Sequence, residues 1–442
     1  MVYFRYRLLP FFIAALFAFF PFSAVAAEVI RHPSGATLIL EPMPEKQVTS
    51  VQLWVKTGSI NEGERFHGLS HFLEHLLFKG SLNYPLGTID RTIEGFGGRV
   101  NAATSKDFTY YYISSANQFA PLALDILGDI VLNPIFDTDE MVLEKEVVIE
   151  EIRRGLDNPY RQVYETLAAM LFENHPYQRN VIAHEAAITN STRELIAEYH
   201  RRYYSPANLA IVAVGGFDRE RLLEQIELVL APHTVRGFQP SAPRHYPALP
   251  SLAREQYQQL SDEKVQVKSL VWASRGPIGA HRDTYALDLL SELLSAGKQS
   301  LWYREFVEPG TLLSAWASFS TNLSHGAFYM AARYQPEQTY HDVMSNLNHS
   351  LEKLSADLLA GNLDDHIARA KQRITNAKIF QQQKVDAIAT RLGIAFTVTG
   401  LEYDQTYVEN LATVTAPEIA RVLKTYVLRP AGAGVELVPK KP

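Results

Sequence analysis

Residues 71–80 read HFLEHLLFKG and residues 288–297 read DLLSELLSAG. The two stretches align without a gap, are apolar at the same places, and each ends on a glycine suited to closing a helix. Upstream of them, VQVKSLVWAS (265–274) resembles VTSVQLWVKTGS (48–59), so the order of elements starts again in the second half. The chain therefore reads as a duplicated unit whose copies have diverged in chemistry. Asp288, Ser291 and Glu292 stand in the second copy where His71, Glu74 and His75 stand in the first.

The rest of the sequence fits that frame. A length of 442 residues favours two or three domains over one core. With 47% hydrophobic and 20% charged residues the composition is that of a folded chain, with no long polar tract. Residues 27–232 carry a hairpin at VIRHPSGATLILEP, a buried strand at 48–59 and a helix over 68–78. Two β runs follow in GGRVNAATSKDFTYYYISSA, then helices near 117–132, 138–155, 160–172 and 191–202, and a strand at LAIVAVGGF. Residues 233–254 hold four prolines with no period and read as a linker to a second unit at 255–442.

Residues 1–26 stand apart. Arg5 and Arg7 precede an apolar run broken by Pro21 and closed by Ala24-Val25-Ala26, the pattern of a cleavable signal peptide. An uncleaved anchor is the alternative, and no later stretch resembles a membrane span. The expected location is periplasmic or secreted, with no membrane attachment after cleavage. Loss of Arg5 and Arg7 moves the formal charge from -6 to -8, which gives little pull toward nucleic acid. There are no cysteines, so an exported form has no disulfides and any metal site must be built from His, Asp and Glu.

Such a site is present in the first copy. On a helix, His71 and His75 project from nearly one face, with Glu74 within about 60° of His71. Two imidazoles and a carboxylate suit a zinc ion with an open position and a base for its water. A third protein ligand is needed, and EKEVVIEEI offers Glu144, Glu146, Glu150 and Glu151 on one helix. Glu144 and Glu151 are two turns apart and share a face. Spacing alone does not choose between Glu150 and Glu151.

HFLEH, LLFKGS, GGRVNAATSKDFTYYY, EKEVVIEEIRR, HPYQRNVIAHE and YYSPANLAIVAVGGFD together resemble the pitrilysin family of inverzincin zinc metallopeptidases, which includes mitochondrial processing peptidase. The resemblance covers nearly all of residues 27–232 and, through the repeat, the second half more loosely. It implies an α+β fold of two homologous domains, each a mostly antiparallel sheet with helices packed on one face, enclosing a cleft. It implies one Zn2+ per chain, held by His71, His75 and Glu151, the last lying 76 positions past His75. Glu74 becomes the base, Glu144 an outer group that orients a ligand, and Asn101 and Ala102 contacts for a substrate strand. The implied activity is that of a zinc endopeptidase on peptides or unfolded segments; a non-catalytic or binding subunit is the alternative.

One family feature is missing. Active relatives often carry an Arg and a Tyr, seven apart, in the second half, where this chain has Val307 and Ser314, with Tyr303 and Arg304 nearby. The resemblance then implies a homologous zinc-less partner that supplies the pair, in a heterodimer, or a homodimer.

Overall fold

The computed structural model describes residues 27–234, 246 and 249–440. The N-terminal segment 1–26 lies outside the described residues, as does most of the linker. Among the described residues no helix is long and apolar enough to cross a membrane.

The first half runs β1 (Glu28–Arg31), β2 (Thr37–Pro42), β3 (Val48–Val55), α1 (Leu69–Leu77), α2 (Thr88–Gly95), β4 (Arg99–Thr104), β5 (Thr109–Ala116), α3 (Ala120–Leu132), α4 (Thr138–Leu156), α5 (Pro159–Leu171), α6 (Glu185–Thr189), α7 (Arg193–Tyr203), β6 (Leu209–Gly215) and α8 (Arg219–Leu230). The second runs β7 (Gln256–Asp262), β8 (Lys268–Arg275), α9 (Asp283–Ser295), β9 (Ser314–Ser320), β10 (Ala327–Tyr334), α10 (Tyr340–Leu359), α11 (Asp364–Gln381), α12 (Val385–Ile394), α13 (Leu401–Gln405), α14 (Tyr407–Thr413), α15 (Ala416–Val422) and β11 (Ala433–Pro439).

The repeat is visible in the sheets. The first is ordered β1-β2-β6-β3-β5-β4 and the second β7-β11-β8-β10-β9. In each, the only parallel neighbours are the first strand of the repeat and its last, β2 with β6 and β7 with β11. All other pairs are antiparallel. The second sheet is the first without its outer strand β1. β4 closes one end of the first sheet and, among the described residues, pairs only with β5, which leaves its other edge open there.

Each half packs its own helices on one face of its sheet. Leu40, Leu53 and Tyr111 meet Phe72, Leu76 and Leu127 in the first half, and Leu270, Phe328 and Met330 meet Leu290 and Leu347 in the second. The opposite face of each sheet is covered by a helix from the other half. Val163, Leu167 and Leu171 of α5 lie on Val271, Val435 and Leu437 of the second sheet. Val385, Ile388 and Leu392 of α12 lie on Ile39, Trp54 and Val212 of the first. At about 1.5–3 kcal/mol per buried aliphatic side chain, these lent helices outweigh any surface ion pair in joining the halves. Gly393 is required where α12 crosses Trp54, because a Cβ there would collide with the indole ring.

Polar links add direction to this adhesion. The Leu323 and Ser324 amides donate to Asp107 Oδ2 and the Tyr177 hydroxyl at 3.0 Å each, and His175 Nε2 meets Ser324 Oγ at 3.0 Å. They tie the turn between β4 and β5 to the second half.

Candidate metal centre

The helix that carries HFLEH is capped in an unusual way. Its N-cap, Gly68, has φ 82° and no side chain to offer, and a Cβ there would strike Ala183. The cap comes instead from Glu62, whose two carboxylate oxygens accept the Gly68 and Ser70 amides at 2.7 Å each. Glu62 is buried, and its charge faces the positive end of the helix. This fixes the first turn of α1, on which His71 is the third helical residue.

α4 crosses beside α1. Asp137 caps it by accepting the Asp139 and Glu140 amides, and Arg153 and Arg154 occupy its last turn, so charge and dipole agree along its length. Its buried stripe of Met141, Val148 and Ile152 turns Glu144 and Glu151 toward α1. Glu151 Oε2 lies 3.7 Å from His71 Nε2 and 3.6 Å from His75 Nε2. One ligand atom from each residue falls within 4.8 Å of the others, the only such group of three found among the described residues. Glu150, on the same helix, is exposed and is not part of that group.

The donor set fits zinc. A tetrahedral ion with bonds of about 2.0–2.2 Å spaces its ligands by about 3.4 Å, close to the two nitrogen–oxygen distances. His75 also has the outer support usual for a metal-bound imidazole. Its Nδ1 meets Glu144 Oε1 at 2.8 Å, and Glu144 Oε2 pairs with Lys79 at 2.7 Å. His71 Nδ1 is buried and has no hydrogen-bond partner among the described residues.

The electrostatics divide the two imidazoles. Burial, aided by the charges of His75 and Arg161, holds His71 down to about 4, so it is neutral and able to ligate. Burial also works against charge on His75, but the hydrogen bond that it donates to Glu144 and the carboxylates around it win and raise it. Burial would raise Glu144, yet its bonds to His75 and Lys79 hold it below the usual carboxylate range. Glu74 is pushed up by burial, against the pull of a hydrogen bond donated by Thr104 Oγ1.

Thr104 ties the site to the open edge of the first sheet. Val100 and Ala102 of β4 pack on the α1 side, and Asn101 alternates to the other face, opposite Tyr112. The two substrate contacts implied by the family thus lie on one edge strand but on opposite faces. The Ala102 amide donates to Asn101 Oδ1 at 2.9 Å. Val307 ends a π-helical turn, Tyr303–Val307, and Ser314 begins β9. Arg304 donates to Gln299 at 2.6 Å.

Sequence reasoning missed Glu62, Lys79 and Thr104. Glu62 had a signal, since a helix opening on glycine must take its cap from elsewhere. Lys79 and Thr104 are set by packing alone.

The insulinase (peptidase family M16) model matches residues 37–185, and the M16 inactive-domain model matches residues 190–370. The chain belongs to the M16 peptidase family. An uncharacterised zinc protease of Mycobacterium tuberculosis is 28% identical over 427 residues, covering 94% of each chain. The β subunit of mitochondrial-processing peptidase from Lentinula edodes is 23% identical over 415 residues, covering 90% of this chain and 87% of that protein. The M16 fold is shared with the crystal structure of a protease from Helicobacter pylori, with TM-score 0.86 and 24% identity over 93% of this chain and 99% of that one. Membership and the names of these relatives support a peptidase function. The inactive-domain match runs from the end of the first half into the second and includes the stretch in which Asp288, Ser291 and Glu292 stand in place of His71, Glu74 and His75.

Proposed function

We propose that this M16 protein is a zinc-dependent endopeptidase acting on peptides or unfolded segments, with one Zn2+ held by His71, His75 and Glu151. The convergence of both imidazole Nε2 atoms on Glu151 Oε2, at 3.7 and 3.6 Å, carries the reading. Zinc, when bound, supplies Lewis acidity toward a carbonyl and acidifies a water to a pKa of about 7.

The chain's own residues do the rest. Glu74 takes the proton of the attacking water and returns it to the leaving amine. Burial raises its proton affinity and so suits it to both tasks, and Thr104 fixes the carboxylate. Glu144 holds the His75 ring in the orientation that presents Nε2. The open edge of β4 accepts an extended peptide as an added strand, with Asn101 and Ala102 at the contact. Such pairing needs an unfolded backbone, which favours peptides over folded proteins.

The same reading places the protein outside the cytoplasm, on the strength of residues 1–26, and gives it a zinc-less homologous partner or a second copy to supply what Val307 and Ser314 lack. Equal activity of the isolated chain and the complex recovered from its source removes the partner.

Glu74→Gln tests the function. Zinc should stay near one per chain while hydrolysis of an unstructured peptide falls by about 10³-fold or more. Unaltered turnover removes Glu74 from its role, and absence of zinc from the purified wild type removes the metallopeptidase.

A further inference from the structure

A cavity opens where the second half covers the first sheet. It measures about 600 Å3 and lies between α11 and α12 on one side and strands β3 and β5 of the first sheet on the other. α11 and α12 border it as α4 and α5 border the metal centre, where Arg161 of α5 is near enough for its charge to act on His71.

Its position relative to β4 gives it a use. Tyr110 and Tyr112 line the cavity, and in the β4–β5 register they sit opposite Ala103 and Asn101. Directly opposed residues share a face, so Asn101 and Ala103 point to the cavity side, whereas Val100 and Ala102 point to the α1 side. A peptide added to the open edge of β4 would alternate in the same way. Every second side chain would face away from the metal, onto the side of the sheet where this cavity lies, with only the small side chain of Ala103 between it and Tyr110.

The chemistry of the lining selects what enters. Its acids are already engaged: Asp386 accepts from Ser114, and Asp404 pairs with Arg391 and Lys378. Lys378 is further held 4.0 Å over the Tyr407 ring. The lining groups without such engagements among the described residues include the Lys384 ammonium, the Gln381 carboxamide and the Tyr110, Tyr112 and Tyr403 hydroxyls, every one able to donate. Arg99 adds a cation on the same face of the edge strand, opposite Ser114. The lining is donor-rich and sets three cations, Lys378, Lys384 and Arg391, against two acids, Asp386 and Asp404, on a chain of net charge -6.

We infer that the cavity is a second recognition subsite for bound peptide, which takes acidic side chains directed away from the metal. The inference rests on the peptidase reading and on strand addition to β4, and it assigns a sequence preference to the side of the peptide that does not meet zinc.

The test measures binding without turnover. Fluorescent peptides of one extended sequence, with a single Glu or Lys moved through successive positions, are titrated into zinc-loaded Glu74→Gln protein by anisotropy. At alternating positions Glu should bind about three- to ten-fold tighter than Lys. Lys384→Glu should remove or invert that ratio, and Lys440→Glu, at the far end of β11 and paired with Glu263, should leave it. Equal affinity of Glu and Lys peptides at every position, or a ratio untouched by Lys384→Glu, overturns the subsite and leaves the peptidase standing. Failure of every peptide to bind overturns the strand-addition reading and the inference with it.

Discussion

Residues 71–75 of α1 and 288–292 of α9 occupy the same place in the two copies and have come to opposite chemical states. On α1, two imidazoles and the carboxylate of Glu151 point at one another across an open volume. On α9, each polar group is neutralised by a specific neighbour. Asp288, where His71 would be, is half-buried and accepts the Tyr407 hydroxyl at 2.5 Å, and Glu292, where His75 would be, pairs with Arg373 at 2.6 Å. Burial pushes Asp288 up to about 6. A scaffold that keeps ligands available must leave their lone pairs unspent; in the second copy the same positions are spent on internal bonds.

The largest effect that can break this contrast is on the metal. Glu151→Ala should lower zinc from about one per chain to near zero under a weak chelator and reduce peptide hydrolysis by about 10³-fold or more, whereas Glu292→Ala should leave zinc content unchanged. Metal analysis of the two variants side by side decides it, and zinc retained by Glu151→Ala moves the third ligand elsewhere on α4.

Asp288 gives the next effect, in stability against pH. Its folded pKa, raised by burial to about 6, exceeds the unfolded value of about 3.9, so the fold holds its proton longer than the unfolded chain does. Stability from this group therefore falls as pH rises between about 4 and 6, and the penalty is constant above that window. Asp288→Asn, which keeps an acceptor for Tyr407, should gain on the wild type across that window by up to about 3 kcal/mol. Urea unfolding of both proteins at several pH values measures the difference; a gain that does not vary with pH would show Asp288 to be ionised throughout.

Glu144→Ala should weaken zinc binding by about 10- to 100-fold through His75, with no loss of ligand count. The smallest effect sharpens the comparison by asking where the copies agree. Lys145 donates to the Thr189 and Ser191 carbonyls at 3.0 and 2.6 Å, and Lys371 donates to those of Ala412 and Val414 at 2.8 and 2.6 Å. These equivalent clasps should cost about 1 kcal/mol each when the lysine becomes alanine. Thermal unfolding that separates the two by much more would show that the halves do not share a common framework.

Much of the fold was legible because it rests on local pattern. The β1–β2 hairpin, the run of α3, α4, α5 and α7, and the gap-free repeat of α1 in α9 all follow from periodicity and turn residues. In the site, His71, Glu74 and His75 declared themselves by spacing on one helix. The proposed third ligand did not, because a helix read alone has no known azimuth. Packing of Val148 and Ile152 decides which way Glu151 faces, and only a family pattern could stand in for that packing. The exchange of α5 and α12 was hidden for a related reason. Apolar stripes such as Val163, Leu167 and Leu171 announce that a face is buried, but not which sheet buries it.

That exchange has a consequence for how the protein is made. The ribosome completes all six strands of the first sheet at Gly215, yet the layer that covers Trp54 and Val212 is not synthesised until α12, near the end of the chain. Throughout that interval the nascent first half presents a broad apolar sheet face with nothing to close it. Folding and translation are thereby placed out of step, and the first half is kept from locking shut before α12 has left the ribosome.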